Sequence, residues 1–243
     1  MWSISDVKSK GKAAFKKNYW RCVLASLILS ILAAGSSAAG QTGNANNIQN
    51  LDTSGMSGEE LSMLAGFLVA FASFLIIFSI IWIILRIFVL NPLEVGCRVF
   101  FKENLDNDAT LDELKAGFGD YKRSVITILL RDIFLALWFC LLIIPGIIKS
   151  YSYKMVPYIL LDEPQLSAKE VITRSREMMN GHKWRAFLLD LSFIGWELLS
   201  LITCGLVGLF YVSPYENSTQ AALYKELKGS NGQTAETVET VQE

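Results

Sequence analysis

The chain has 243 residues, of which 52% are hydrophobic and 19% charged, and its formal net charge is −1. This composition is too apolar for an ordinary soluble domain. The charged residues are also unevenly placed. Arg86 is the only charged residue in 61–90, and Arg131 and Asp132 are the only two in 124–148. Because about 20 apolar helical residues span the hydrocarbon core of a bilayer, both runs are long enough to cross a membrane.

Three basic, amphipathic segments alternate with the apolar runs. Each begins with a hydroxyl residue that is followed three residues later by an acid, the pattern of a helix N-cap and capping box. The pairs are Ser3 with Asp6, Thr110 with Glu113, and Ser167 with Glu170. The segments end at Arg21, Arg123 and Arg185, after which the charge density falls. The sequence therefore predicts one membrane domain, 1–228, built from three repeats at about 1–107, 108–166 and 167–228.

The first repeat is expected to cross the membrane twice, at about 21–39 and 61–90. The loop 41–60 contains acids but no Lys or Arg, so we place it outside, whereas the basic stretch after Pro92 belongs inside. A cleaved secretory signal is the alternative for the N-terminus, because small residues follow the first apolar run. Its basic region is too long for a signal, and cleavage would remove the partner of the second crossing.

The second and third repeats are expected to form two more hairpins, at about 124–144 with 147–161, and 186–202 with a sixth crossing from 206. Pro145-Gly146 and Cys204-Gly205 mark their turns. The fourth crossing is short and carries Lys149 and Lys154, so a re-entrant half-helix stays open as an alternative. The polar tail, 229–243, is predicted to be disordered. The expected fold is an all-α integral membrane bundle with six transmembrane helices in three hairpins, each preceded by an interfacial helix, and with both termini cytoplasmic.

Ionisable residues inside a bilayer are costly and are candidates for function. Those within the predicted crossings are Lys154, Glu197, Arg131, Asp132 and Asp190. Counting from the turns, we expect Lys154 to pair with Glu197 and Arg131 with Asp190. Such a network either forms a pathway for an ion or anionic headgroup, or specifies which helices meet.

Basic and aromatic residues at the ends of the three segments are candidates for contact with anionic lipid headgroups. They are Lys12, Lys16, Lys17, Trp20, Arg21, Lys122, Arg123, His182, Lys183, Trp184 and Arg185. His182 is the only histidine, so a zinc site with several histidine ligands is excluded. The pair Asp162-Glu163 before Pro164 is interpreted as a polar turn and not as a catalytic dyad. No nucleotide-binding or hydrolase motif occurs, so we expect no enzyme activity, no cofactor and no metal site.

The stretch Asn180–Trp196, together with Pro145-Gly146, the segment 91–96 and Ser213-Pro214-Tyr215, resembles the bacterial multi-pass membrane proteins of domain-of-unknown-function family 975. The resemblance extends from the first basic helix to about Lys228. It implies an integral protein of a bacterial plasma membrane, with no known activity or catalytic residues. Glu197 and the long loop 41–60 depart from the family's pattern.

The leading functional hypothesis is a non-enzymatic, lipid-contacting module that organises or assists partner proteins in the envelope. Its expected partners are anionic lipids and either a membrane protein or a second copy of the chain. Nucleic acid is not expected, because the basic residues border the crossings. The alternative is a small transporter or channel for an ion or lipid-like anion. A membrane-embedded enzyme acting on lipids, through His182 or Asp162, is a third hypothesis.

Overall fold

A computed structural model describes residues 2–38 and 57–239, with side chains described for 2–32 and 57–230. The predicted outer loop therefore lies mostly outside the described residues, as does the end of the small-residue stretch where a signal would be cleaved. Throughout the described part the regular elements are helices, which confirms the all-α prediction. They are α1 Ile4–Lys17, α2 Tyr19–Ala38, α3 Gly58–Leu85, α4 Asn91–Asp106, α5 Ala116–Gly119, α6 Tyr121–Leu141, α7 Ile143–Ser152, α8 Val156–Asp162, α9 Ala168–Met178, α10 Lys183–Leu191, α11 Ile194–Ile202 and α12 Ser213–Glu239.

The chain divides into two compact units. The larger, Met1–Ser30 with Asn91–Glu243, has α4, α8 and α12 at its centre. These three helices each carry a proline at the second position, where its missing N–H breaks no helical bond of its own first turn. α4 and α12 follow π-helical turns, Arg86–Leu90 and Gly208–Val212. Pro92 and Pro214 cannot donate to the carbonyl four residues earlier, so the preceding turn widens.

The amphipathic segments pack on the three central helices. α1 lies against α12, the 3-10 turn Leu111–Lys115 and α5 lie against α4, and α9 lies against α8. The apolar face of α1, with Val7, Ala14 and Phe15, is buried in these contacts. Gly11 touches Thr219 so closely that an added methyl group would overlap it. The prediction of an interfacial helix is therefore corrected for this segment, because its apolar face is part of a protein core.

The capping prediction is confirmed at one of its three positions. At the start of α9, Glu170 Oε2 accepts the Ser167 amide at 2.7 Å, within a capping box. Ser3 and Thr110 occupy N-cap positions without a side-chain cap bond. A second capping box, not predicted, joins Ser57 and Glu60 at the start of α3.

The predicted crossings are more interrupted than expected. Two stretches of the described chain, Gly58–Asp106 and Tyr121–Leu141, are long and apolar enough to cross a membrane. The fourth predicted crossing breaks between α7 and α8, and the fifth breaks between α10 and α11. α12 continues to Glu239, into the stretch predicted to be disordered, since extending a helix that is already packed needs no new nucleation.

The smaller unit, Ile31–Leu90, consists of the end of α2 and of α3 with the π-helical turn after it. α3 has 28 residues and none of them is buried. Arg86 donates to the Leu32 carbonyl at 3.5 Å. A helix that is apolar on all sides and unburied has no core of its own to face.

Candidate functional site

The three arginines that end the basic segments all donate to backbone carbonyls. Arg21 reaches the carbonyl of Ala109 at 3.1 Å, and Arg185 reaches that of Trp2 at 2.9 Å. Arg123 reaches three carbonyls, those of Leu160, Glu163 (2.8 Å) and Leu166 (2.9 Å). A planar guanidinium with several fixed donors suits such sites better than an ammonium does.

These contacts follow one rule of position. Ala109, Leu166 and Trp2 each stand directly before the N-cap residue of a basic segment, namely Thr110, Ser167 and Ser3. The first segment is therefore tied to the second, the second to the third, and the third to the first. We call these three contacts the arginine ring. This rule describes only where the acceptor carbonyls lie in the three segments. That the segments are repeats stays a prediction.

The remaining candidates for headgroup contact lie in two kinds of surroundings. Trp20 and Trp184, each directly before its arginine, are 69% and 68% exposed. Lys12, Lys16 and Lys122 are exposed, while Lys17 pairs with Asp108 at 3.1 Å. Lys183 is half-buried. The exposed indoles and ammonium groups are accessible on the surface of the larger unit. Their contact with lipid headgroups stays a prediction.

His182 is engaged with the N-terminal segment. Its Nδ1 accepts a hydrogen bond from Trp2 Nε1 at 3.3 Å. Burial, Arg185 and the N-terminal amino group lower the pKa of His182 below its ordinary value, so the ring is neutral at pH 7. A neutral ring bonded to Trp2 contributes to the arginine ring and carries no charge for a headgroup.

The charged residues predicted to form a network are present in the larger unit, with different partners. Arg131 forms a two-bond pair with Glu94 (2.9 and 3.1 Å) and also bonds Asp132 at 2.8 Å. Its side chain is 12% exposed and that of Glu94 21%. The expected pair between Arg131 and Asp190 is therefore corrected. Glu94 lies on α4, which the sequence-based count placed outside the crossings.

Lys154 pairs with Asp190 and not with Glu197. Lys154 Nζ lies 2.8 and 2.6 Å from the two carboxylate oxygens of Asp190, and the Tyr151 hydroxyl donates to Asp190 at 2.9 Å. Glu197 is exposed and makes no ion pair within the described residues. The helix is interrupted at Ser192 and Phe193, so a count along one continuous helix does not give the position of Glu197.

A further polar group, missed from the sequence, joins α4 to α12. Arg98 donates to Asn217 Oδ1 at 2.8 Å and to Gln220 Oε1 at 3.0 Å, and Gln220 in turn donates to Glu216 at 2.9 Å. Burial raises the pKa of Glu216, with Lys154 and Arg98 acting in the opposite direction. The signal for Glu94 and Glu216 was available, because both stand two residues after the proline in the matching segments Asn91–Glu94 and Ser213–Glu216.

Asp162 connects all three central helices. Lys102 of α4 pairs with its Oδ1, while Lys228 (2.7 Å) and the Tyr224 hydroxyl (2.8 Å) of α12 bond its Oδ2. The Tyr158 and Tyr224 rings stack close by at 5.0 Å. The polar-turn interpretation of Asp162 thus understates its role, because its side chain is only 8% exposed and every donor comes from another helix.

Protonation of Asp162 at low pH is expected to lower the stability of the protein. Burial raises its pKa, but hydrogen bonds from Lys102, Lys228 and Tyr224 outweigh burial and hold the pKa below the ordinary value of 3.8. The stabilisation is therefore present above that value and is lost as pH falls through the folded-state pKa. We expect the melting temperature in detergent to drop more steeply below pH 4 in the native protein than in Asp162→Asn. Parallel curves for the two proteins would contradict this.

The comparison with protein families identifies the chain. The family described as Protein of unknown function (DUF975) matches residues 60–231. The chain belongs to the DUF975 family. No curated protein and no solved structure matches it. The match begins in α3 and includes α4 and α8. Two of the three arginines of the ring, Arg123 and Arg185, lie inside it, as do the pairs of Arg131 with Glu94 and of Lys154 with Asp190.

Proposed function

We propose that this DUF975 protein is an integral membrane protein without enzymatic activity, which holds a helical bundle on the inner face of a bacterial plasma membrane and serves there as a scaffold for other envelope proteins. The observation that carries the proposal is α3. Beyond its start at Glu59 and Glu60 this helix is apolar on every side, and none of its 28 residues is buried. A lipid environment suits such a helix.

The distribution of exposed residues supports the same role. Lys12, Lys16 and Lys122 are exposed on the basic segments that contain the arginine ring. By the positive-inside rule, these segments support a cytoplasmic position for this side of the protein. Both a six-crossing arrangement and one in which the later hairpins enter only part of the bilayer keep these segments together. The two termini then lie in the cytoplasm.

Membrane integration is tested by extraction. The full-length protein, expressed in bacterial cells, is expected to stay in the membrane pellet after alkaline carbonate and to enter solution only with detergent. Release by carbonate alone would contradict the proposal. Chemical crosslinking in intact cells tests the scaffold, and a chain that yields neither a heterologous partner nor a copy of itself would refute that part.

The preference for anionic lipid has a matched pair of variants. Lys122→Gln removes an exposed charge beside the arginine ring, and Lys115→Gln removes one that is 79% exposed earlier in the same segment. One lysine near an anionic surface contributes about 1 kcal/mol. We expect Lys122→Gln to lower the share of anionic lipid that co-purifies in polymer nanodiscs more than Lys115→Gln does. Equal shares would argue against headgroup contact at this site.

Transport is the competing function, and Glu216 is the observation that favours it. This carboxyl is bonded to an amide, and Lys154 and Asp190 act on it electrostatically. A half-buried carboxyl with a raised pKa is suited to carry a proton. If Glu216→Gln abolishes proton or ion flux in proteoliposomes while the melting temperature is unchanged, transport replaces scaffolding as the function.

A further inference from the structure

Two helical hairpins of the larger unit end in turns that contain no charged residue. Their one hydroxyl, that of Thr203, donates to carbonyls of its own helix, those of Leu199 and Ser200. The second hairpin consists of α6 and α7 and turns at residues 141–144. The third consists of α11 and the helical segment that leads from Leu206 to Ser213, and it turns at residues 201–206. The exposed tips are Leu141 (70%), Leu142 (64%), Ile143 (71%), Ile144 (73%), Leu201 (79%), Ile202 (78%) and Leu206 (61%). A turn that emerges into water on the far side of a membrane is expected to be polar, since its backbone and side chains meet solvent.

The height of the second hairpin can be measured from α9. Ser175 of α9 donates to the Ser152 carbonyl at the end of α7, at 2.8 Å. α9 lies at a height in the molecule where it faces water, because its side away from Ser175 exposes Lys169, Arg176 and Glu177. From Ser152 to Leu142 the chain rises ten residues, about 15 Å at 1.5 Å per residue. That is about half of a hydrocarbon core of about 30 Å.

Contacts across the second hairpin agree with this height. Gly146 touches the Phe139 ring, and Lys149 Nζ lies 4.6 Å from the centre of the Trp138 ring. Continuing these pairs down the hairpin, Ser152 lies opposite about Ile133. Below this level α6 is held in the bundle, with Val125 and Ile128 buried. Only the last third of α6 and most of α7 therefore project, although α6 as a whole is long enough to cross.

The third hairpin has a similar height. Asp190 lies at the level of Lys154, its ion-pair partner, and Phe193 contacts Tyr215 at 5.0 Å between ring centres. From Phe193 to Ile202 the rise is nine residues, about 14 Å. Gly208 against Ser200 keeps the two arms together. Its tip therefore also stops about half a bilayer above the polar groups of the bundle.

The contrast with α3 is direct. α3 is about 42 Å long at 1.5 Å per residue, and it begins in polar sequence, with Ser57, Glu59 and Glu60 all exposed. It is long enough to cross the hydrocarbon core and emerge. The two hairpins of the larger unit lack both the length and the polar turn that such a crossing requires.

We propose that the second and third hairpins insert into one leaflet only, the leaflet on the side of α9, with their tips near the bilayer midplane. This rests on the proposed membrane location of the protein. The two tips contact the acyl chains of that leaflet. The protein consequently displaces more lipid from this leaflet than from the other. The full crossings are then the two predicted at about 21–39 and 61–90, and not six.

Native cysteines allow a direct test. Cys140 and Cys204 are exposed and lie near the two tips, whereas Cys22 and Cys97 are buried. In intact cells expressing the full-length protein, Cys140→Ala leaves Cys204 as the exposed thiol, and Cys204→Ala leaves Cys140. The matched control adds Ser57→Cys at the polar start of α3 to a protein lacking both exposed thiols. Each protein is treated from outside with a charged, membrane-impermeant maleimide.

We expect Ser57→Cys to be labelled and both tip cysteines to react about a hundredfold more slowly, since a charged reagent is excluded from hydrocarbon. In proteoliposomes, bimane on Cys204 should be quenched most strongly by lipids that carry the quencher at the end of the acyl chain. Labelling of Cys204 from outside as fast as Ser57→Cys, or quenching that is strongest near a headgroup, would overturn the inference. Either result leaves the membrane location intact, whereas release by carbonate would remove the proposed function itself.

Discussion

Arg131→Met is expected to lower the free energy of unfolding by about 3 kcal/mol, measured by denaturant titration in detergent micelles. The substitution removes a two-bond pair with Glu94 and a bond to Asp132, and it leaves Glu94 with 21% exposure and without its guanidinium. Breaking a fully buried pair costs about 3 to 5 kcal/mol. The residual exposure of Glu94 places the expected loss at the lower end of that range.

Two controls separate a structural pair from a transport site. Lys115→Met removes one partner of a pair that is 79% and 77% exposed, and it should leave stability almost unchanged. The double variant Glu94→Gln/Arg131→Met also removes the carboxylate that Arg131 bound, and it should recover much of the loss. If Arg131→Met instead keeps full stability and loses ion flux in proteoliposomes, the pair serves transport.

Arg123→Lys is expected to destabilise the protein by about 2 kcal/mol even though the charge is kept. Arg123 satisfies the carbonyls of Leu160, Glu163 and Leu166, which end α8 and precede α9. One ammonium cannot reach all three, and each lost bond from a charged donor to a buried acceptor costs about 1 to 3 kcal/mol. The melting temperature in detergent measures the loss.

The arginine ring supplies graded controls for this substitution. Arg21 and Arg185 each donate to one carbonyl, so Arg21→Lys and Arg185→Lys should be milder than Arg123→Lys. A headgroup contact would respond differently, because a lysine keeps the attraction to anionic lipid. Unchanged stability in Arg123→Lys, together with weaker binding of anionic lipid, would assign Arg123 to the lipid surface.

Local patterns predicted the helical elements well and their partners poorly. The capping pattern at Ser167 and the amphipathic face of α1 are properties of a few consecutive residues, and both occur as helices in the structure. The burial of that face against α12 depends on a helix 200 residues away, and no local pattern reports it. The same limit affected the ion pairs, since α10 and α11 are separate helices and Lys154 pairs with Asp190 instead of Glu197.

The sequence by itself determined the helical class, the membrane-type hydropathy of residues 61–90 and the family, because composition, helical period and motif residues are all read from neighbouring positions. The tertiary structure decided which charges pair and what the three arginines bind. It also decided how far each hairpin leaves the bundle. Those properties depend on the distances between residues far apart in the chain, and apolar length alone does not distinguish a helix in lipid from one whose lower half is packed against its neighbours.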